Sequence, residues 1–172
     1  MDQDAGHVPL VEAARGGDRA AFGRLYGLYG RMVHGILLAR VPTREVDDLV
    51  QDVFLKALRQ LPRLNEPRSF GGWLAAIARH RAADFHRRAV PTTVLPDELP
   101  GPEPEDREAL AVLAVLRTLP EAYRETLVLR LVEGMTGPEI AERTGLSPGS
   151  VRVNLHRGMA KLREKLGVRK DD

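Results

Sequence analysis

Between Val90 and Glu108 the sequence rules out one continuous helical fold. Five of the chain's twelve prolines stand there (Pro91, Pro96, Pro100, Pro102 and Pro104), together with six acidic residues and one arginine. Proline fixes φ and removes a backbone donor, and like charges repel, so the stretch reads as an extended linker and not as a packed element. The residues on either side must therefore build their own cores. Neither side shows an alternating strand pattern of any length, and no internal repeat is present. The expected fold class is all-α, two small helical domains joined by a linker rich in proline and acid.

The first unit should open with a helix over Asp18 to Arg40, whose apolar face includes Phe22, Leu25, Tyr26, Tyr29, Val33 and Leu37. Pro42 interrupts it, and Thr43 is placed to cap the next helix. From Val46 the apolar positions Leu49, Val50, Val53, Phe54, Ala57, Leu58 and Leu61 follow helical spacing, which predicts an amphipathic helix. Its other face carries Asp48, Gln51, Asp52 and Leu55, an acidic stripe with one leucine where a solvated face would interleave cations. After a loop from Leu61 to Pro67, a third helix should run from about Ser69 to Arg88. Trp73, Leu74, Ile77, Ala78 and Phe85 suit its buried side, and Arg79, His80, Arg81, His86, Arg87 and Arg88 gather toward its end.

The second unit begins with a helix through Ala109, Leu110, Leu113 and Leu116, breaks at Pro120, and continues through Tyr123, Leu127 and Leu131 to Gly134. From Thr136 to Leu166 the spacing is that of a helix-turn-helix. Thr136 followed by Glu139 forms a capping box, Gly145 supplies the left-handed stop, and Ser147-Pro148 reads as the N-cap and first position of the next helix. Val151, Leu155, Met159 and Leu162 should pack inward, leaving Ser150, Arg152, Asn154, Arg157 and Lys161 on the outer face. Residues 147–170 hold seven Lys/Arg against one acid, a segment charge of +6 that suits phosphate contact. Arg152, Asn154 and Arg157 are the candidates for base edges, since arginine matches guanine and asparagine matches adenine. Lys161 and the cations beyond it suit phosphates, which position a protein without reading sequence.

At 172 residues the chain has room for one or two small domains. Its net charge of +2 hides segregation: residues 1–90 carry +4, 91–120 carry −4 and 121–172 carry +2. With no cysteine, disulfides, thiolate metal sites and thiol redox chemistry within the chain are excluded. The five histidines are scattered, no nucleophile stands at motif spacing with a base, and no glycine-rich phosphate loop occurs, so neither an enzyme nor a metal or cofactor site is expected. No apolar run approaches a membrane span and the acidic start is unlike a signal peptide, which predicts a cytoplasmic protein with no membrane insertion.

In several motifs taken in order, the chain resembles the extracytoplasmic-function sigma factors, small alternative sigma subunits of bacterial RNA polymerase. The run Val46-Asp47-Asp48-Leu49-Val50-Gln51-Asp52-Val53-Phe54-Leu55 is similar to their polymerase-binding helix in region two, and Phe70-Gly71-Gly72-Trp73-Leu74-Ala75-Ala76-Ile77-Ala78-Arg79 to their promoter-melting helix. Leu119-Pro120-Glu121 with Arg124 resembles the opening of region four. Glu139-Ile140-Ala141, Val151-Arg152 and Leu155-His156-Arg157 resemble its helix-turn-helix. His80 stands where the family often has asparagine, and Leu58 where it often has an aromatic residue.

The resemblance implies roles. Asp48, Gln51, Asp52 and Leu55 would bind the clamp helices of core RNA polymerase. Arg63 and Asn65, in the loop before the third helix, would hold a base flipped from the minus-ten element, an extrusion that costs a few kcal/mol of stacking and pairing. Arg79, His80, Arg81, Arg87 and Arg88 would contact promoter DNA upstream of it, and Trp73 is either core or a melting wedge. Ser150, Arg152, Asn154, Arg157 and Lys161 would serve the minus-35 element. The implied domains are a tail at 1–14, region two at 15–89, the linker at 90–108, region four at 109–168 and a tail at 169–172. Core polymerase, promoter DNA and an anti-sigma factor are the implied partners. The competing reading is a sigma mimic that sequesters an anti-sigma factor without binding promoters; such a mimic would be expected to lose the cationic face that Arg152, Arg157 and Lys161 supply.

Overall fold

The computed structural model describes residues 6–89 and 104–167. Eight α-helices account for most of them: α1 (Val8–Arg15), α2 (Arg19–Leu38), α3 (Val46–Gln60), α4 (Phe70–Arg88), α5 (Pro104–Arg117), α6 (Glu121–Leu131), α7 (Gly137–Thr144) and α8 (Pro148–Leu166). No strand occurs among the described residues. The helical ends follow local chemistry. Asp18 accepts the amides of Ala20 and Ala21 at 2.9 and 3.1 Å and so starts α2. At α7 the Glu139 amide donates to the Thr136 hydroxyl (3.3 Å) while the Thr136 amide donates to the Glu139 carboxylate (2.7 Å). Gly145 follows at φ 75°, a conformation open to glycine because it has no Cβ. Ser147 accepts the Ser150 amide at 3.1 Å and begins α8.

Helix α2 is the centre of the molecule. It packs against α1, α3 and α4 of its own bundle, and against α6 of the second unit on another side. Leu25, Tyr29, Val33, Ile36 and Leu37 are buried along it, and a single apolar cluster continues from them to Leu116, Leu127, Leu129 and Ile140 of the second unit. The two expected domains are thus docked. Sequence periodicity predicts a helical stripe for one partner; α2 keeps an exposed face in its first half, where Arg24, Tyr26 and Leu28 are exposed, and is covered on several sides only toward its end, where Met32, Val33 and the stretch from Gly35 to Leu38 are buried.

Four local expectations change. Residues 8–14, expected as tail, belong to α1, which buries Val11 and Ala14 and packs on α2. Tyr26, expected on the inner face of α2, is 43% exposed and lies against Phe54, with ring centroids 4.3 Å apart. Thr43 caps nothing: it opens a short 3-10 turn without a side-chain cap bond, and its hydroxyl instead accepts from Arg117 at 3.3 Å. The last part of the expected linker, from Pro104, already lies in α5. The remainder of that linker, residues 90–103, and the tail at 169–172 lie outside the described residues.

Candidate nucleic-acid and polymerase-binding surfaces

Helix α8 places its side chains as its spacing requires. Val151 and Leu162 are buried, and Ser150, Arg152, Arg157 and Lys161 are exposed on the opposite side. Asn154 is different. It is half-buried, and its amide nitrogen stands 3.4 Å from the Thr126 hydroxyl of α6. Ser150 is exposed but tied to the helix start, where the Ser147 hydroxyl donates to it at 2.8 Å. The outer face is therefore a cationic strip of Arg152, Arg157 and Lys161 on a rigid, doubly capped helix, a geometry that can enter a DNA major groove.

On α3, Asp48, Gln51, Asp52 and Leu55 are all exposed, with Leu55 at 50%. An exposed carboxylate pair beside an exposed leucine is a surface shaped for a basic, partly apolar partner. Asp52 is not isolated, since Arg81 of α4 donates to its carboxylate at 2.7 and 3.2 Å. Beside the stripe, Phe22, Tyr26, Gln51, Phe54, Leu55 and Leu58 line an apolar groove of about 260 Å³. Periodicity hides this groove, because it counts Tyr26 and Leu58 as core.

The expected minus-ten residues divide into two groups. Arg63 and Asn65 are exposed on the turn between α3 and α4, and His80, Arg87 and Arg88 are exposed along α4. Trp73 is half-buried, packed against the core and tilted on Phe70 with centroids 5.7 Å apart. Arg87 pairs with Asp84 of its own helix, whose carboxyl is held below the usual range first by that hydrogen bond. Arg79 and Arg81 are engaged within the protein, Arg81 on Asp52 and Arg79 on Glu125 of α6.

Glu125 escapes sequence analysis, although it organises the contact between the two units. It is 4% exposed and receives Arg79 through two hydrogen bonds, Nη2 to Oε1 at 2.7 Å and Nε to Oε2 at 3.0 Å. Arg40, at the end of α2, donates to the same carboxylate at 2.5 Å and to Glu121 at 2.7 Å. Burial pushes the Glu125 carboxyl up, but the hydrogen bonds and charges of Arg79 and Arg40 outweigh it and hold the group below the usual range. Arg79, bonded to Glu125, is raised in turn. Its sequence neighbours give no signal, since α6 also carries Glu121, Arg124 and Arg130 and one more acid among them reads as solvated.

Further contacts join the units. Arg117 of α5 donates to the carbonyls of Leu38 and Val41 at 3.0 and 2.8 Å. Arg31 donates to the Glu133 carbonyl at 3.2 Å, and His34 bonds the Glu133 carboxylate. Arg143 of α7 donates to the Leu28 carbonyl, and its guanidinium lies 5.3 Å from the centre of the Tyr29 ring. At the start of α4, a Cβ on Gly71 would strike the Arg143 carbonyl oxygen, so the backbones of α4 and the helix-turn-helix meet directly.

The geometry is that of a helical polypeptide carrying a helix-turn-helix on one unit and an acidic, partly apolar face on the other. Comparison with known proteins agrees. Residues 25–91 match the family model for sigma-70 region 2 and residues 109–162 that for sigma-70 region 4. The chain is 41% identical over 133 residues to the ECF RNA polymerase sigma factor ShbA of Streptomyces griseus, covering 69% of this chain and 70% of ShbA. It is 35% identical over 174 residues to the ECF RNA polymerase sigma factor SigD of Mycobacterium tuberculosis, covering 91% and 82% of the two chains. Among solved structures, CnrH in complex with the cytosolic domain of CnrY superposes with a TM-score of 0.66 at 30% identity, covering 95% of this chain and 98% of CnrH. The chain belongs to the sigma-70 family and, within it, to the extracytoplasmic-function sigma factors of RNA polymerase. It is accordingly an alternative sigma factor that directs transcription initiation and carries no chemistry of its own. No helix among the described residues is long and apolar enough to cross a membrane.

Proposed function

We propose that this sigma factor docks on core RNA polymerase through the exposed face of α3, with Asp48, Gln51, Asp52 and Leu55 against the clamp helices, and works in the cytoplasm. Its first unit, residues 15–89, reads and melts the minus-ten element through Arg63, Asn65, Trp73, Arg79, His80, Arg81, Arg87 and Arg88. Its second, residues 109–168, reads the minus-35 element through Ser150, Arg152, Asn154, Arg157 and Lys161. One observation carries this reading: the same chain exposes an acidic stripe with a leucine on α3 and a cationic strip on a capped recognition helix, two surfaces of opposite sign on separate units. A subunit that bridges polymerase and DNA needs both. An anti-sigma partner fits as well, since CnrH, of nearly the same extent, is held by the cytosolic domain of CnrY.

The test is transcription on fragmented genomic DNA by core polymerase with and without the protein, with start sites mapped. New start sites sharing two upstream elements are expected. Binding to core with no directed start would instead make the chain a mimic that occupies an anti-sigma factor.

A further inference from the structure

The outer face of α8 is cationic at its margins and uncharged along its middle. Gly149, Val153, His156 and Ala160 follow one another at helical spacings of four and three, and all four are exposed. They lie opposite the buried residues Val151, Gly158 and Leu162. Arg152 stands on one flank of this row, and Ser150, Arg157 and Lys161 stand on the other. Val153 occupies its centre, 44% exposed.

The protein's own stability calls for neither of the first two residues. A β-branched side chain is a weaker helix former than alanine, and an exposed valine gains little burial in return. Gly149 is unforced in the same sense: a Cβ added there meets no atom within 4 Å. Both make sense against an external surface. An α-helix with its side chains is about 10–12 Å across, and the major groove of B-form DNA is about 12 Å wide. Long side chains along the middle of the helix would hold it away from the groove floor. A row of glycine, valine and alanine lets it seat there, while Arg152 and Arg157 reach outward to the walls.

The rotation of α8 about its own axis decides which residue meets the floor. Asn154 fixes it from the side, since its amide nitrogen stands 3.4 Å from the Thr126 hydroxyl, and that hydroxyl donates to the Ala122 carbonyl at 2.7 Å. Asn154 therefore borders the exposed face, and Val153 takes the middle. Valine has no hydrogen-bonding group, so it can read only an apolar feature of a base edge. In the major groove that feature is the 5-methyl group of thymine. Val153 is the sixth residue of α8, within the N-terminal part of a recognition helix that meets base edges.

We propose that Val153 is a specificity-determining residue of the second unit, packing on the 5-methyl group of one thymine at a fixed position in the upstream element. The proposal rests on the two-element reading given above and deepens it. Arginines on the flanks supply affinity and polar readout, and the valine between them rejects base pairs that lack the methyl.

The test uses the protein bound to core polymerase and a promoter fragment taken from start-site mapping. Each thymine of the upstream element is replaced in turn by deoxyuridine, which pairs as thymine does and lacks only the 5-methyl. Binding of the parent and of Val153→Ala is measured on every duplex. Alanine favours helix, so the variant keeps α8 and removes only the apolar tip. At one position the parent should bind the deoxyuridine duplex about fourfold more weakly, the worth of one buried methyl group. Val153→Ala should bind the two duplexes of that position equally. The ratio of the two preferences isolates the valine–methyl pair from every other contact. A parent indifferent to every methyl of the upstream element, or a preference that Val153→Ala retains, would overturn the contact while leaving the two-element reading intact. A holoenzyme that directs no start site would strike that reading itself, and the contact with it.

Discussion

Arg79 and Glu125 stand 46 residues apart in sequence yet meet edge to edge, with Nη2 on Oε1 at 2.7 Å and Nε on Oε2 at 3.0 Å. A fork-to-carboxylate pair of this kind fixes orientation as well as distance. It sets the angle between a helix expected to meet DNA and a helix of the neighbouring unit.

Removing the carboxylate should therefore be costly. Glu125→Ala leaves Arg40 and Arg79, both of the first unit, without the buried carboxylate they share, and breaking a buried pair from one side costs about 3–5 kcal/mol. Because Arg79 retains 31% side-chain exposure, the lower end of that range is expected. Urea unfolding at neutral pH measures it. The depressed carboxyl also predicts acid sensitivity: the stabilisation is present above the ordinary glutamate range near about 4.3 and is lost as pH falls through the lowered folded-state value. A midpoint that does not move with pH below this range would contradict the assignment.

His34 predicts a response of opposite sign. Its bond to the Glu133 carboxylate raises it above its ordinary value near about 6.5 even though partial burial lowers it, and Asp47 of α3 adds to the rise; Arg31 is the nearby cation, bonded to the Glu133 carbonyl. Docking gains from the protonated imidazole fully below the ordinary value, and the gain disappears as pH rises through the raised one. The docked population should fall from pH 6 to pH 8 in the wild type, and His34→Gln should flatten that dependence. NMR titration of the imidazole gives the folded-state value directly.

For the recognition strip, Arg152→Ala or Arg157→Ala should weaken binding to the upstream element by about 1–3 kcal/mol if the arginine reads a base. An equal loss on every duplex would assign that arginine to phosphate. Fluorescence anisotropy on a panel of single-base variants distinguishes the two.

On α3, Asp48→Arg is the sharper probe of polymerase binding, since Asp48 is exposed while Asp52 also holds Arg81. Asp48→Arg with Asp52→Arg should abolish binding to core polymerase and leave the helical circular dichroism signal in place. Asp48→Arg alone should weaken binding at least tenfold. Unchanged core affinity in size-exclusion assays would remove the stripe from the interface.

At the start of α7, Thr136→Ala removes one half of the capping box and should cost about 1 kcal/mol. The readout is thermal unfolding, with the recognition strip itself untouched.

Much of this is legible in the sequence alone. Thr136, Glu139, Gly145 and Ser147 sit in caps that depend on a few neighbouring residues, so local chemistry determines the helix-turn-helix. The stripes of α3 and α8 were equally legible, because each helix has one outer face. The docking of the two units was not. Glu125 looks like an ordinary acid in a helix until Arg40 and Arg79 close on it, and Gly71-Gly72 looks like a weak helix start until Arg143 arrives. Tyr26 failed for a related reason, since periodicity marks a side chain as apolar without saying whether a neighbour covers it. Pairings across many residues leave no spacing to read.

The clamp of Arg117 on the carbonyls of Leu38 and Val41 has a consequence for how the molecule comes apart. Helix α2 belongs to one unit, yet its last carbonyl, that of Leu38, and the Val41 carbonyl just beyond it are met by a side chain from the other. When the units separate, those carbonyls must turn to water and the final turn of α2 loses an external brace. Separation therefore loosens the first unit at the end where Arg40 stands. The boundary drawn by the family models in sequence is not a boundary in cooperativity, and amides near Val41 should exchange with solvent at a rate set by docking and not by the stability of either unit alone.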